Sequence, residues 1–143
     1  MRYNIGSRLS ELIFENELTN DKLVEELDIS RQNISRWIQG KQGISLANAI
    51  KVANYFKCSL RYLLSETDNK LDFALRIHPP FYERLRGLMA ERNITWYRIV
   101  KDGIASDYNL SAWKNGSEPY LETVIGIADY FKLTLDQFVG REV

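Results

Sequence analysis

The chain contains an internal repeat, because residues 5–66 and 81–142 share one apolar pattern. The centre of this pattern reads Ile34-Ser35-Arg36-Trp37 in the first copy and Leu110-Ser111-Ala112-Trp113 in the second, and a Gly follows three residues later in both. A period of about 75 residues exceeds the roughly 20 to 50 residues of solenoid repeats, so the copies are expected to form two small domains. The predicted domains are 1–66 and 81–143, joined by a short linker at 67–80.

The apolar residues within each copy recur at helical spacing. In the first helix Ile5, Leu9 and Leu12 share one face, while Arg8 falls on the opposite face. We therefore predict an all-α fold of two tandem five-helix domains. Hydroxyl residues suited to N-caps precede later segments, at Thr19, Ser30, Ser59 and Thr134.

The segment between the copies has apolar residues at alternate positions. These are Leu71, Phe73, Leu75 and Ile77. The spacing predicts an ordered connection that packs on one of the two domains.

Metal chemistry and catalysis are not expected. His78 and Cys58 are the only histidine and cysteine, so the chain offers neither a tetrahedral zinc set nor an internal disulfide. Ser and Thr mostly stand at helix caps, no glycine loop suits a phosphate, and no histidine is available for a triad. We predict a protein that is not an enzyme and that carries no metal and no cofactor.

No membrane segment is expected, because the longest apolar runs span only a few residues. Met1-Arg2-Tyr3-Asn4 leads directly into the helical pattern without the apolar stretch of a secretory signal. The sequence therefore predicts a cytoplasmic protein with no membrane partner.

The second and third helices of the first copy are short and are separated by only Asp28 and Ile29. Two helices joined by a tight turn are typical of proteins that insert one helix into the DNA major groove. The outward face of the third helix carries groups that can read bases, since Arg binds guanine O6 and N7 and Gln binds adenine N6 and N7. The predicted base-reading residues are Arg31, Gln32, Ser35 and Arg36.

Charges are unevenly distributed along the first copy. The segment between Asp28 and Glu66 contains six Lys or Arg residues and no acidic residue. Acidic residues, among them Asp21 and Glu25, crowd the preceding part of the sequence. This distribution predicts a cationic face that can follow a phosphate backbone, and the alternative is a solvated surface with accidental clustering.

The first copy resembles the Cro and phage-repressor type of helix-turn-helix domain, also called the xenobiotic response element family. The second copy shares the resemblance, which implies a DNA-binding fold and base contacts from the outward face of the third helix. It also implies that three residues flanking that face bind DNA phosphates, namely Asn20, Gln39 and Lys41. The resemblance rests on Leu23-Val24, Ile29-Ser30, Ile34-Ser35-Arg36-Trp37 and Gln39-Gly40-Lys41.

The chain departs from the family pattern at several positions. Asp28 holds a turn position that is usually Gly, and Val24 holds one that is usually Ala. The family tends to pair an Arg of helix one with a Glu of helix three, and Ile13 and Ile38 occupy those positions here. Replacing a buried ion pair with fitted apolar residues is often neutral or stabilising, so this exchange is compatible with the fold.

The third helix of the second copy lacks both arginines, since Asp107 and Ala112 stand where Arg31 and Arg36 stand in the first. Asp107 would face phosphate and guanine acceptors unfavourably, although Asp can accept a hydrogen bond from cytosine N4. A role other than an equal second reading head is therefore favoured, with Asp107, Tyr108, Asn109 and Ser111 as candidate interaction residues. Four aromatic residues either add exposed area of the type found in protein interfaces or cover the small core: Trp96, Tyr97, Tyr108 and Tyr120.

Together these features predict a sequence-specific, DNA-binding transcription regulator, with repression favoured over activation. Domain one would read double-stranded DNA, while domain two dimerises, binds another protein or makes weaker DNA contacts. Because one helix covers few base pairs, useful specificity requires a dimer on two half-sites about 34 to 36 Å apart or a second domain, and we expect a homodimer. The alternative is a protein-interaction module, such as an antitoxin or antirepressor, that uses the same fold for docking.

Overall fold

The computed structural model describes residues 5–142 and has ten helices in that range. This confirms the predicted all-α fold of two tandem five-helix domains. Residues 1–4, on which the expectation about a secretory signal rests, and residue 143 lie outside the described part. The helices are α1 (Gly6–Glu15), α2 (Asn20–Leu27), α3 (Arg31–Ile38), α4 (Leu46–Tyr55), α5 (Leu60–Leu63), α6 (Phe81–Arg92), α7 (Trp96–Lys101), α8 (Asp107–Lys114), α9 (Leu121–Tyr130) and α10 (Leu135–Val139).

The chain divides into two compact units. The first runs to Asp72 and includes Tyr120–Glu122, and the second comprises Phe73–Pro119 together with the residues from Thr123 onward. The first unit thus holds α1 to α5, and the second holds α6 to α8, most of α9, and α10. The predicted linker, residues 67–80, is shared between them.

Hydroxyl side chains cap the helices at the positions that the sequence predicted. Thr19 Oγ1 accepts a hydrogen bond from Lys22 N at 3.1 Å at the start of α2. Such a cap satisfies one of the amides that the first helical turn leaves without a carbonyl partner. Side chains cap α3, α5 and α10 in the same way, at Ser30, Ser59 and Thr134.

In both units an arginine of the first helix is hydrogen-bonded to the last helix. Arg8 Nε donates to Tyr62 O at 2.8 Å, and the Arg8 guanidinium lies 3.9 Å from the centroid of the Tyr62 ring. Arg84 does the same in the second unit, donating from Nε to Phe138 O at 2.8 Å and from Nη2 to Gln137 O at 3.0 Å. Arg8 is therefore half-buried and not on the solvent face that the helical spacing predicted, because its long side chain reaches the carbonyls of Tyr62 and Thr67.

The turn between α2 and α3 contains a left-handed residue, Asp28, with φ 53° and ψ 47°. Glycine suits this conformation best, but Asp and Asn also adopt it because their short polar side chains can hydrogen-bond locally. The chain therefore keeps a tight turn between α2 and α3 without the family's usual glycine.

The core of the first unit is built from apolar side chains of all five helices. Ile13, which stands where the family tends to have an arginine, is buried, and Ile38 is half-buried. Apolar contacts therefore occupy the positions of the family's ion pair. The side chains with no exposed surface include Leu9, Leu12, Leu23, Ile34, Leu60 and Leu63.

The connection between the copies contributes to both units. Ser59 N donates to Lys70 O at 2.8 Å in the first unit, and Arg76 N donates to Arg141 O at 3.1 Å in the second. Ile77 is fully exposed. The expectation that the connection packs on one domain is therefore wrong, because its backbone groups find partners on two different units.

Candidate nucleic-acid interface

One side of α3 is fixed against the core of the first unit. Ile34 and Trp37 are buried, and Trp37 Nε1 donates to Gly43 O at 3.3 Å in the loop after the helix. Two buried positions three residues apart lie on one face of a helix, so they set the rotation of α3 about its axis. The polar face of α3 therefore points away from the core.

A surface groove of about 850 Å³ on the first unit collects the side chains that the sequence predicts for DNA contact. The groove is formed by the start of α2, the outer face of α3 and the residues that follow α3. All four candidate base-reading residues and all three candidate phosphate-binding residues line it, and their roles stay predictions. They are Arg31, Gln32, Ser35, Arg36, Asn20, Gln39 and Lys41.

Hydrogen bonds between side chains hold the groove residues in place. Arg36 Nη1 donates to Gln42 Oε1 at 3.3 Å, and Gln42 Nε2 donates to Asn33 Oδ1 at 2.9 Å. Gln39 Nε2 donates to Ser35 Oγ at 3.3 Å, which joins a candidate phosphate contact to a candidate base contact. No sequence pattern indicated Gln42, because its loop has no periodicity and its partners are known only from the folded chain.

Asp21 lies in the same groove and pairs with Arg31. Asp21 Oδ1 is in direct contact with Arg31 Nη2, and the two side chains are 66% and 70% exposed. The charge pattern predicts Asp21 in an acidic region apart from the cationic face, and the structure corrects this. The tight turn brings the start of α2 against the start of α3. The signal that could have found Asp21 is its position directly after Asn20, a predicted phosphate contact.

The cationic face is narrower than the sequence predicts. Arg61 forms a 3.8 Å ion pair with Asp72, and Lys51 and Lys57 are exposed but do not line the groove. The distribution of charge along the chain thus overstated the basic part of the groove, because Lys51, Lys57 and Arg61 do not line it. The basic residues that do line the groove are Arg31, Arg36 and Lys41.

The corresponding helix of the second unit, α8, presents different groups. Asp107, Tyr108 and Ser111 are exposed, with Tyr108 at 81%. Asn109 caps the helix instead, because its Oδ1 accepts from Ser106 N at 3.3 Å and from Ser106 Oγ at 2.8 Å. Of the four candidate interaction residues in this copy, three are thus turned to solvent and one forms a capping box.

The aromatic residues singled out in the second copy fall into two groups. Trp96 is half-buried and stacks on Tyr82, with ring centroids 6.1 Å apart and planes 14° from parallel. Tyr97, Tyr108 and Tyr120 are exposed at 73%, 81% and 63%. Trp96 therefore covers its own domain, while the tyrosines supply exposed aromatic area of the type enriched in protein interfaces.

A polar cluster in the second unit links the end of α7 to α9. Tyr130 Oη donates to Asp102 Oδ2 at 2.8 Å, and Arg98 Nε donates to the same oxygen at 3.1 Å. The hydrogen bond from Tyr130, reinforced by Arg98, holds the pKa of Asp102 below its ordinary value of 3.8. The same hydrogen bond raises the pKa of Tyr130 above its ordinary value of 10.0. Arg98 and Lys101 are exposed cations on α7. Asp107 is an exposed acid at the start of α8.

Within residues 5–142 no group of three or more His, Cys, Asp or Glu side chains is arranged to hold a metal ion. Over the same residues no helix is long and apolar enough to cross a membrane. Cys58 is buried, consistent with a packing role.

Family models match both copies of the repeat. Residues 12–63 match the model described as helix-turn-helix. Residues 84–142 match the model described as Cro/C1-type HTH DNA-binding domain. No curated protein and no solved structure matches the chain. The matched ranges include the α2–α3 pair of the first unit and the α7–α8 pair of the second.

Proposed function

Because the chain carries two tandem Cro/C1-type helix-turn-helix domains, which make it a DNA-binding transcription regulator, we propose that it is a sequence-specific repressor. In this proposal the first domain reads the major groove of double-stranded DNA with Arg31, Gln32, Ser35 and Arg36. The second domain assists by dimerisation, by binding another protein or by weaker DNA contacts.

The observation that carries the proposal is the groove formed by α2 and α3. Arg31 and Arg36 have the donors that fit guanine O6 and N7, and Gln32 has the amide that fits adenine N6 and N7. Polar and cationic groups flank them, and contacts of this kind to phosphates fix the register of a helix on the duplex. The flanking residues are Asn20, Gln39 and Lys41.

A homodimer is part of the proposal. A single reading helix contacts only a few base pairs, so selective binding requires a second head on the same duplex. Two copies related by a twofold axis would bind half-sites about 34 to 36 Å apart, or a multiple of that spacing. Repression needs only that such a dimer occupies its operator, whereas activation needs a further productive contact with the transcription machinery.

In vitro selection with the full-length protein is the first test. The selected duplex should bind tightly, and fluorescence anisotropy should show affinity falling steeply with KCl, because bound phosphates release counterions. Arg31→Ala and Arg36→Ala should each relax base preference at one position, by about 1 to 3 kcal/mol of discrimination. Lys51→Ala removes an exposed cation of the same domain outside the groove and should leave base preference unchanged. Absent or salt-insensitive DNA binding by the intact chain would end the proposal.

A second candidate function is protein docking through domain two, as in an antitoxin or antirepressor. It is supported by the exposure of Tyr97 and Tyr108 and by an acidic residue, Asp107, at the start of α8 in place of an arginine. An antitoxin could combine both functions, binding a toxin with domain two and its own operator with domain one. A stable protein partner that is lost in Tyr108→Ser, together with failure to select any DNA site, would favour docking alone.

A further inference from the structure

We propose that Asp21 is a specificity-determining residue of the DNA-reading surface, which acts by holding Arg31 in an ion pair that favours guanine over phosphate as the partner of Arg31. This inference rests on the proposed DNA-reading function of domain one. It adds an acidic residue to a surface that the sequence describes by its basic, amide and hydroxyl side chains.

The geometry starts from the contact between Asp21 Oδ1 and Arg31 Nη2. Asp21 is in the first turn of α2, and Arg31 is the first residue of α3, so the pair bridges the two helices at the edge of the groove. Both residues line that groove with the other candidate DNA contacts. A helix that enters the major groove here would therefore bring the Asp21 carboxylate close to the DNA as well.

The chemistry of the guanidinium allows Arg31 to hold Asp21 and a base together. Arg has five N–H donors in a rigid plane, and the contact with Asp21 involves Nη2. Other donors of the same plane can reach guanine O6 and N7, which accept two parallel hydrogen bonds. Asp21 would thereby fix the plane of the guanidinium before DNA arrives, and less side-chain freedom would be lost on binding.

Electrostatics make the pair discriminate between phosphate and guanine. A phosphate attracts Arg31 through net charge, and the Asp21 carboxylate both cancels that charge and repels the polyanion. Guanine O6 and N7 are neutral acceptors that need aligned donors, and pairing with Asp21 supplies the alignment. Asp21 should therefore weaken binding to unrelated DNA much more than binding to the selected site.

Neighbouring residues show that this pairing is specific to Asp21. Lys22 forms its ion pair with Glu26 at 3.2 Å, one turn further along α2. Glu25 is exposed on α2 but does not line the groove. In the second copy the positions of Asp21 and Arg31 hold Tyr97 and Asp107, which cannot form a salt bridge. Glu25 is therefore a suitable site for a control that removes the same charge from the same helix.

The test compares Asp21→Asn with Glu25→Gln in the full-length chain. Dissociation constants would be measured by anisotropy for the selected duplex and for a scrambled duplex of equal length and composition, over a range of KCl concentrations. One additional phosphate contact steepens the salt slope by about 0.9, which is about eightfold in affinity at 0.1 M salt relative to 1 M. At 0.1 M KCl, Asp21→Asn should tighten binding to the scrambled duplex by about eightfold, and the affinity of the variant should depend more steeply on salt. Binding to the selected duplex should change by less than about threefold, so the specificity ratio falls.

Glu25→Gln should change the dissociation constants for both duplexes by the same small factor and leave the specificity ratio unchanged. Equal effects of the two variants, or equal tightening of both duplexes by Asp21→Asn, would overturn the inference while leaving the proposed function standing. The dependence on Arg31 is tested by repeating Asp21→Asn in the Arg31→Ala background, where the specificity ratio should no longer respond. A response of unchanged size there would show that Asp21 acts on DNA without Arg31 and would also overturn it. Failure of the unaltered chain to select any duplex would remove the proposed function and this inference together.

Discussion

Arg141 and Asp136 form a buried ion pair in the second domain, with Arg141 Nη1 at 2.5 Å from Asp136 Oδ1. The two side chains are 1% and 0% exposed. The backbone closes around the same pair, since Arg141 N donates to Asp136 O at 3.0 Å. The equivalent positions of the first copy hold Arg61 and Glu66, the same charges in reverse order, and Glu66 N donates to Arg61 O at 2.9 Å. The turn after the last helix is thus duplicated while its charges are exchanged.

Removing one member of this pair should strongly destabilise the second domain. Asp136→Asn removes the carboxylate that is paired with the buried Arg141 guanidinium, and breaking a buried ion pair from one side typically costs about 3 to 5 kcal/mol of unfolding free energy. Urea denaturation followed by circular dichroism would measure the loss. Asp129→Asn, an exposed acid of α9, is the control and should change stability by less than about 0.5 kcal/mol. Replacing both partners, as Asp136→Leu with Arg141→Met, should recover much of the loss, because both buried charges of the pair are removed together. A double variant as unstable as Asp136→Asn would contradict this account.

The arginine that joins the first helix of each unit to its last helix should also contribute to stability. Arg84→Met removes the bonds to Phe138 O and Gln137 O and should cost about 1.5 to 3 kcal/mol, the usual contribution of hydrogen bonds from a charged group. Arg86→Met, on the exposed side of α6, is the matched control. Chemical denaturation of both variants is the measurement. Equal stabilities would mean that the hydrogen bonds from Arg84 to α10 contribute nothing measurable.

Gln42 should affect base reading although it is not among the predicted DNA contacts. Gln42→Ala frees Arg36 from its anchor and should weaken binding to the selected duplex by about 1 kcal/mol, the net contribution of a hydrogen bond, which is roughly fivefold. The same substitution in the Arg36→Ala background should have almost no effect on DNA binding, because the group that it positions is gone. Additive effects of the two substitutions would show that Gln42 contacts DNA independently of Arg36.

The pKa of Asp102 should rise toward its ordinary value of 3.8 when Tyr130 is replaced by Phe, because the main group lowering it is lost. A carboxyl whose folded pKa is depressed stabilises the fold above its unfolded pKa, and this contribution is lost as the pH falls through the folded pKa. Tyr130→Phe should therefore reduce the free energy of unfolding at neutral pH. As the pH falls through the pKa of Asp102, the variant should lose less free energy of unfolding than the unaltered chain does. A carboxyl-detected NMR titration of Asp102 measures the shift directly. Tyr108→Phe, at an exposed tyrosine of α8, should leave the titration of Asp102 unchanged.

Much of the fold could be predicted because it depends on local features of the chain. Helical spacing located the helices, and Thr19 and Ser30 mark their starts, since a cap depends on residues only three positions apart. The outward direction of Arg31 and Arg36 followed from the burial of Ile34 and Trp37 on the same helix. The resemblance to the Cro and phage-repressor family rested on these same local patterns.

Contacts between distant positions were the part that local patterns missed. Arg8 was expected on the solvent face of α1, but its partners are carbonyls at Tyr62 and Thr67, more than fifty positions away in the sequence. The connection between the copies had apolar residues at alternate positions, yet Ile77 is exposed, and the backbone of the connection forms hydrogen bonds with two different units. Periodicity describes one element at a time and carries no information about which element lies opposite.

The sequence by itself determined that this chain is a duplicated helix-turn-helix protein, and that the two arginines on the third helix of the first copy have no counterparts in the second. Those properties follow from repeat length, helical period, capping residues and residue type, all of which act over a few positions. Only the tertiary structure decided that Asp21 meets Arg31 and that Gln42 holds Arg36. Such pairings depend on how the turn at Asp28 and the loop after α3 bring separate segments together, and the free energy of packing the whole domain fixes that arrangement.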